Sequence, residues 1–99
     1  MNNPLDELIA AHQHMMRRYI SVIQTCNPKL HDEDFLIKFC KTALTLKNPD
    51  KLSRWVGNIQ GTLIEREILN TQFERDISRA LYKPIYDRLG YDSSTVNVE

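Results

Sequence analysis

The sequence predicts an all-α protein, a compact bundle of about four helices, and three observations lead to this prediction. Apolar residues recur at intervals of three and four over long stretches, which is the period of an amphipathic helix. Only 3 Gly and 4 Pro occur in 99 residues, too few for the many turns of a β protein. Asn3-Pro4 and Asn48-Pro49 open two of the periodic stretches, where Asn is typical as N-cap and Pro as first helical residue.

Three of the predicted helices are separated by turn residues. The apolar period places these helices at Pro4–Cys26, Asp32–Leu46 and Pro49–Ile68. Pro28 ends the first, because proline disfavours the α conformation in the residue before it. The helix dipole favours the acidic start of the second. The apolar face of the second helix comprises Phe35, Leu36, Phe39, Cys40, Ala43, Leu44 and Leu46.

The fourth helix is predicted to begin at Thr71. Thr71-Gln72-Phe73-Glu74 matches the capping box, in which the Thr hydroxyl and the Glu carboxylate each accept a hydrogen bond from a backbone amide. Pro84 falls inside the apolar period and is expected to kink or divide the helix. Gly90 is the expected C-cap. Residues 91–99 have no apolar face and are predicted to form a short disordered, flexible tail.

Composition and charge predict a single cytoplasmic domain at residues 1–90. The 13 basic and 13 acidic residues leave no net charge, whereas nucleic-acid-binding proteins usually carry a basic excess. The first residues do not resemble a secretory signal, and no apolar run is long enough to span a membrane. Cys26 and Cys40 are therefore expected to be reduced thiols in the cytoplasm.

Candidate catalytic and metal-binding residues are sparse. His12 and His14 are two residues apart, so on a helix they point to nearly opposite sides, and we expect His12 at the edge of the core. Zinc ligands on a helix prefer wider spacing. The sequence contains no pair of acids spaced for a di-iron site, no nucleophile elbow and no phosphate-binding glycine loop. It therefore predicts no catalytic residue, no metal site and no cofactor.

The segment 54–61, Arg-Trp-Val-Gly-Asn-Ile-Gln-Gly, is the most unusual stretch of the chain. Gly57 and Gly61 each cost a helix interior about 1 kcal/mol relative to Ala, so we expect some interaction to offset that cost. The simplest explanation is close packing against another helix of the same chain. The alternative is a groove that binds a partner, with Trp55 beside it as an apolar anchor.

A second candidate surface lies on the fourth helix. Arg75, Arg79 and Lys83 are spaced by four and form one stripe. Such a stripe suits an anionic contact, either nucleic-acid phosphate or the acidic face of a protein. The alternative is a solvated helix face whose charge Asp76 and Asp87 partly compensate.

The same two regions carry a resemblance to a group of proteins. Residues 51–61 contain the pattern Arg-Trp-x-Gly-x-x-Gln-Gly, and Arg75-Asp76 and Arg79-Ala80-Leu81-Tyr82 follow. This part of the chain, roughly its C-terminal half, resembles the short accessory proteins of enterobacterial temperate phages and prophages. The resemblance implies an accessory gene product that modifies host physiology by binding, and it carries over no catalytic residue.

These observations predict a non-catalytic protein that binds a bacterial host protein as a regulator, inhibitor or adaptor. The expected contacts are Trp55, Gly57 and Gly61, with Arg75, Arg79 and Lys83 as a charged rim. The alternative is a small nucleic-acid-binding regulator that uses the stripe on the last helix. Homodimerisation is a further expectation, because a chain of 99 residues with glycine-lined or aromatic faces need not bury all of them internally.

Overall fold

A computed structural model describes residues 3–90 of the chain and confirms the all-α class. Within that range four α-helices and no strand occur. Helix α1 spans Pro4–Gln24, α2 Glu33–Ala43, α3 Pro49–Glu65 and α4 Thr71–Leu89. The tail predicted at residues 91–99 lies outside the described residues.

Three asparagine side chains cap helix N-termini. The Oδ1 atoms of Asn3, Asn48 and Asn70 accept hydrogen bonds of 2.8, 3.0 and 2.9 Å from backbone amides two or three residues later. The predicted capping box is therefore wrong. Asn70 caps α4 and Thr71 is its first helical residue, which places Glu74 beyond the position that a capping box requires. Glu74 is buried in an ion pair instead.

Helices α2 and α3 end three residues before their predicted ends, and α1 ends two residues early. After α2, the amides of Thr45 and Leu46 bond to carbonyls three residues back, so the α pattern tightens into short turns. After α3, Glu67 adopts a left-handed φ of 60°. The amide of Ile68 then bonds to the carbonyl of Leu63, as in a Schellman motif.

Helix α4 is continuous through Pro84 rather than divided there. Pro84 lacks an amide hydrogen, so the carbonyl of Ala80 loses its helical partner. Both residues are exposed, which leaves that carbonyl accessible to water. The helix ends at Gly90, whose φ of 83° confirms the predicted C-cap.

Helix α1 is the central element of the bundle. It packs against α2, α3 and α4; α2 and α3 also pack against each other, whereas α4 has extensive contacts with α1 alone. The core is mainly apolar and lies between α1, α2 and α3. Its most deeply buried apolar side chains are Met15, Met16, Tyr19, Ile23, Cys40, Leu52, Ile59 and Leu63.

A surface ion pair joins the start of α2 to the end of α3. The guanidinium of Arg66 donates two hydrogen bonds, of 2.8 and 2.7 Å, to the carboxylate of Asp32. These bonds lower the pKa of Asp32 to about 2. Asp32 occupies the N-cap position of α2 but makes no capping hydrogen bond, so its carboxylate serves this long-range contact instead.

Candidate functional site

Trp55 lies half-buried on the flank of α3 that faces α2. Its indole stacks on the ring of Phe39, with 4.5 Å between ring centroids and 20° between ring planes. One turn before Phe39 on the same helix, the side chain of Phe35 is 68% exposed. We call Phe35, Phe39 and Trp55 the aromatic seam. Trp55 was predicted as a contact residue, and the structure places its ring on Phe39, one turn from Phe35 on the predicted apolar face of α2.

Phe35 belongs to the predicted apolar face of α2 but is not buried, and the packing of α2 gives the reason. The buried residues of this helix are Leu36, Cys40 and Ala43, which recur at intervals of four and three. Phe35 precedes Leu36 by one residue, so its side chain lies about 100° away around the helix, on the flank of the buried stripe. An apolar period shows which face of a helix is buried, but it does not determine whether the residues on either flank of that face are buried or exposed.

Five cations lie near the aromatic seam in the sequence. Residues 35–59 contain Lys38, Lys41, Lys47, Lys51 and Arg54 but only one acid, Asp50. All five cations are exposed. Between residues 3 and 90 none of the five has an acidic partner within ion-pair distance. We call these five residues the basic surface.

Gly57 and Gly61 lie on the solvent-exposed side of α3. A Cβ atom added at either position would meet no other atom within 4 Å. The explanation by close packing within the chain is therefore wrong, because the missing side chains let no other helix approach. At 100° per residue, Gly57 lies about 160° around the helix from Trp55, so the two do not share one face.

The stripe on α4 is only partly available for an anionic contact. Arg79 and Lys83 are exposed, but the Lys83 ammonium lies 2.9 Å from the Asp87 carboxylate, one turn further along the helix. Arg75 is half-buried. Because α4 packs on α1 while Trp55 faces α2, the structure does not bring the stripe and the aromatic seam together.

A buried polar network joins three of the helices. Arg18 of α1 donates two hydrogen bonds, of 2.8 and 2.6 Å, to the carboxylate of Glu74 on α4. The hydroxyl of Tyr19 donates to the same carboxylate at 2.8 Å and accepts a bond of 2.8 Å from the Gln60 amide on α3. No local pattern in the sequence predicts this network, because its members are far apart in the chain.

Burial and hydrogen bonding oppose each other at Glu74. Burial alone would raise the pKa of this carboxyl, but the hydrogen bonds from Arg18 and Tyr19 outweigh it and hold the pKa below its usual value. For Tyr19, burial and the neighbouring carboxylate act in the same direction and raise the pKa of the phenol. Glu74 is therefore ionised and Tyr19 neutral at physiological pH, and the network serves to hold α4 on the bundle.

A second buried polar pair joins α1 to α4. The Nδ1 atom of His12 lies 2.9 Å from the hydroxyl of Tyr82, and the two rings pack with 4.9 Å between centroids. Burial lowers the pKa of His12 to about 4, so the imidazole is neutral at physiological pH. Its Nε2 atom has no hydrogen-bond partner among the described residues. His12 is thus a core residue, with 3% of its surface exposed.

Residues 3–90 contain no group of three or more His, Cys, Asp or Glu side chains that could hold a metal ion. Among these residues, no helix combines the length and the hydropathy needed to cross a membrane. No protein-family model, curated protein or solved structure matches the chain. The resemblance to phage accessory proteins therefore stays a prediction, and the functional proposal rests on the geometry of the surface.

Proposed function

We propose that this is a non-catalytic interaction protein whose contact surface is centred on the aromatic seam. The observation that carries the proposal is the exposure of Phe35 beside the stacked rings of Phe39 and Trp55. The partner we propose is a bacterial host protein, bound as the target of a regulator, inhibitor or adaptor. The resemblance to phage accessory proteins supports that choice of partner.

The energetics of the aromatic seam support a contact role. Completely burying a Phe side chain is worth about 1.5–3 kcal/mol, and the side chain of Phe35 leaves most of that gain unused within the chain. Trp is enriched among the residues that dominate binding energy. Because Trp55 is already held against Phe39, it loses little side-chain freedom when a partner covers it.

The other predicted contacts lie apart from the aromatic seam. Gly57 and Gly61 leave a smooth exposed strip on α3 that a partner could approach closely, and their binding role stays a prediction. The same holds for the charged rim, which lies on α4. Nucleic-acid binding by that stripe is the second candidate function, and the exposure of Arg79 is the observation that favours it. Homodimerisation stays a prediction that sedimentation equilibrium would test.

The proposal can be tested by affinity capture from enterobacterial lysate, with and without nuclease treatment, using three baits: the unaltered chain, Phe35→Ala and Phe73→Ala. Phe73 is a matched control, because its side chain is 58% exposed but lies on α4, over the guanidinium of Arg18. We expect one stoichiometric protein that the unaltered chain and Phe73→Ala retain and that Phe35→Ala loses. Circular dichroism should show all three baits equally folded, since both positions are exposed.

Two results would contradict the proposal. The first is a captured protein that Phe35→Ala retains at the same yield, which would place the contact elsewhere. The second is capture that disappears with nuclease treatment, which would favour the nucleic-acid alternative. In that case the affinity for duplex DNA should fall steeply with salt and weaken in Arg79→Ala.

A further inference from the structure

The cations of the basic surface differ from most others in the described chain. Five cations elsewhere form ion pairs with acids: Arg18 with Glu74, Lys29 with Glu33, Arg66 with Asp32, Lys83 with Asp87, and Arg88 with Glu7. The five cations of the basic surface form none with residues 3–90. Asp50, four residues before Arg54 on α3, is exposed and does not pair with it. The fold thus leaves these five positive charges without an acidic partner among residues 3–90.

Helix stability explains only one of these cations. Lys41 lies in the last turn of α2, where the helix dipole favours positive charge. Lys51 lies in the first turn of α3, where the same dipole opposes positive charge, and Arg54 in the second turn gains nothing from it. A sequence selected for helix stability alone would place an acid or a neutral residue at the position of Lys51.

We infer that the partner of the aromatic seam presents an acidic segment, whose carboxylates pair with Lys51 and Arg54 of the basic surface while its apolar side chains cover Phe35 and Trp55. This inference rests on the proposed function. Charge complementarity supports it, because residues 35–59 hold five cations and one acid in a chain whose net charge is zero. Complementary charges around an apolar centre determine orientation and exclude wrong partners.

A protein segment fits this surface better than a nucleic acid does. The ring of Phe39 covers one face of the Trp55 indole, so that face is not free to stack on a base. The rest of the chain carries an excess of acids that offsets the basic surface. These acids repel a long polyanion. A short acidic segment that lies within about 8 Å of the cations is largely screened from the acids elsewhere on the chain.

The experiment selects peptides from a random display library against the immobilised full-length protein at about 0.15 M salt. Synthetic versions of the enriched peptides, and a mixed-sequence DNA duplex, are then titrated into the unaltered chain and four variants by fluorescence anisotropy. Lys51→Glu and Arg54→Glu test the charge, and Phe35→Ala tests the aromatic seam. Arg17→Glu is the matched control, since it reverses an exposed cation on α1.

We expect acid-rich peptides whose affinity falls about tenfold in Lys51→Glu and Arg54→Glu and is unchanged in Arg17→Glu. Lys51→Glu places an acid at the start of α3, where the dipole favours it, so loss of binding cannot be attributed to loss of fold. Thermal unfolding would verify this.

Three kinds of result would overturn the inference. Peptides that depend on Phe35 but show no acidic excess, or that bind Lys51→Glu normally, would refute it and leave the proposed function in place. Peptides that bind Phe35→Ala normally, or the absence of any enriched peptide, would count against both. Tight binding of the DNA duplex that Arg54→Glu abolishes would replace the acidic protein segment with a nucleic acid.

Discussion

Replacing Glu74 by Ala should remove about 3 kcal/mol from the free energy of unfolding. The Glu74 side chain is 1% exposed and accepts hydrogen bonds from both Arg18 and Tyr19. Removing one member of a buried ion pair costs about 3–5 kcal/mol, because the other charge is left uncompensated. The Arg18 side chain is 23% exposed, so water can solvate part of its guanidinium, and we expect the lower end of that range.

Urea unfolding followed by circular dichroism would measure this loss. With a urea dependence of about 1–1.5 kcal/mol/M for a domain of this size, the midpoint should fall by about 2–3 M. The control is Glu65→Ala, an exposed acid at the end of α3, for which we expect a change below about 0.5 kcal/mol. The double variant Arg18→Met/Glu74→Met should be more stable than Glu74→Ala, because it buries no unpaired charge. If Glu74→Ala unfolded at the same urea concentration as the control, the account of α4 docking given above would be refuted.

Three further predictions concern other parts of the bundle. Burial lowers the pKa of His12 to about 4 in the folded protein, so on acidification the unfolded chain binds the proton first. The free energy of unfolding should therefore fall by about 2 kcal/mol from about pH 7.5 to pH 5. Urea titrations at each pH should show this dependence lost in His12→Gln and kept in the exposed control His14→Gln. Gly57→Ala and Gly61→Ala should each raise the free energy of unfolding by about 0.5–1 kcal/mol, since a Cβ meets open space at both; a loss of stability by calorimetry would restore the packing explanation. The Cys40 thiol is fully buried, and burial raises its pKa to about 11. It should therefore react with a thiol reagent only after unfolding, and mass spectrometry of the labelled native protein would detect any earlier reaction.

The helices could be predicted because their signals are local. An Asn side chain needs only a backbone amide two or three residues later, and the apolar period of a helix is visible within a short window. The starts of α1 and α3 and the end of α4 at Gly90 therefore agree with the sequence analysis. The predicted ends of α2 and α3 were late because the apolar residues continue into the turns, where they still pack against the core.

The proposed contact surface and the buried polar network were harder to predict because they depend on neighbours that are distant in the chain. Glu74 matches a local capping pattern, and only the approach of Arg18 and Tyr19 on α1 gives it a different role. The exposure of Phe35 depends on which flank of α2 the third helix covers. The lack of ion pairs in the basic surface became visible only once five other cations had been matched to their acids.

The polar contacts between α1 and α4 specify how the two helices are aligned along their length. Three contacts occur at successive levels of the antiparallel pair: Glu7 with Arg88, His12 with Tyr82, and Arg18 with Glu74. Sliding α4 by one turn would displace every partner by about 5.4 Å and break all three contacts at once. Apolar side chains tolerate such a slide better, because any of them can fill a neighbouring space. Glu74, Tyr82 and Arg88 therefore specify one register for a helix that packs extensively on a single neighbour.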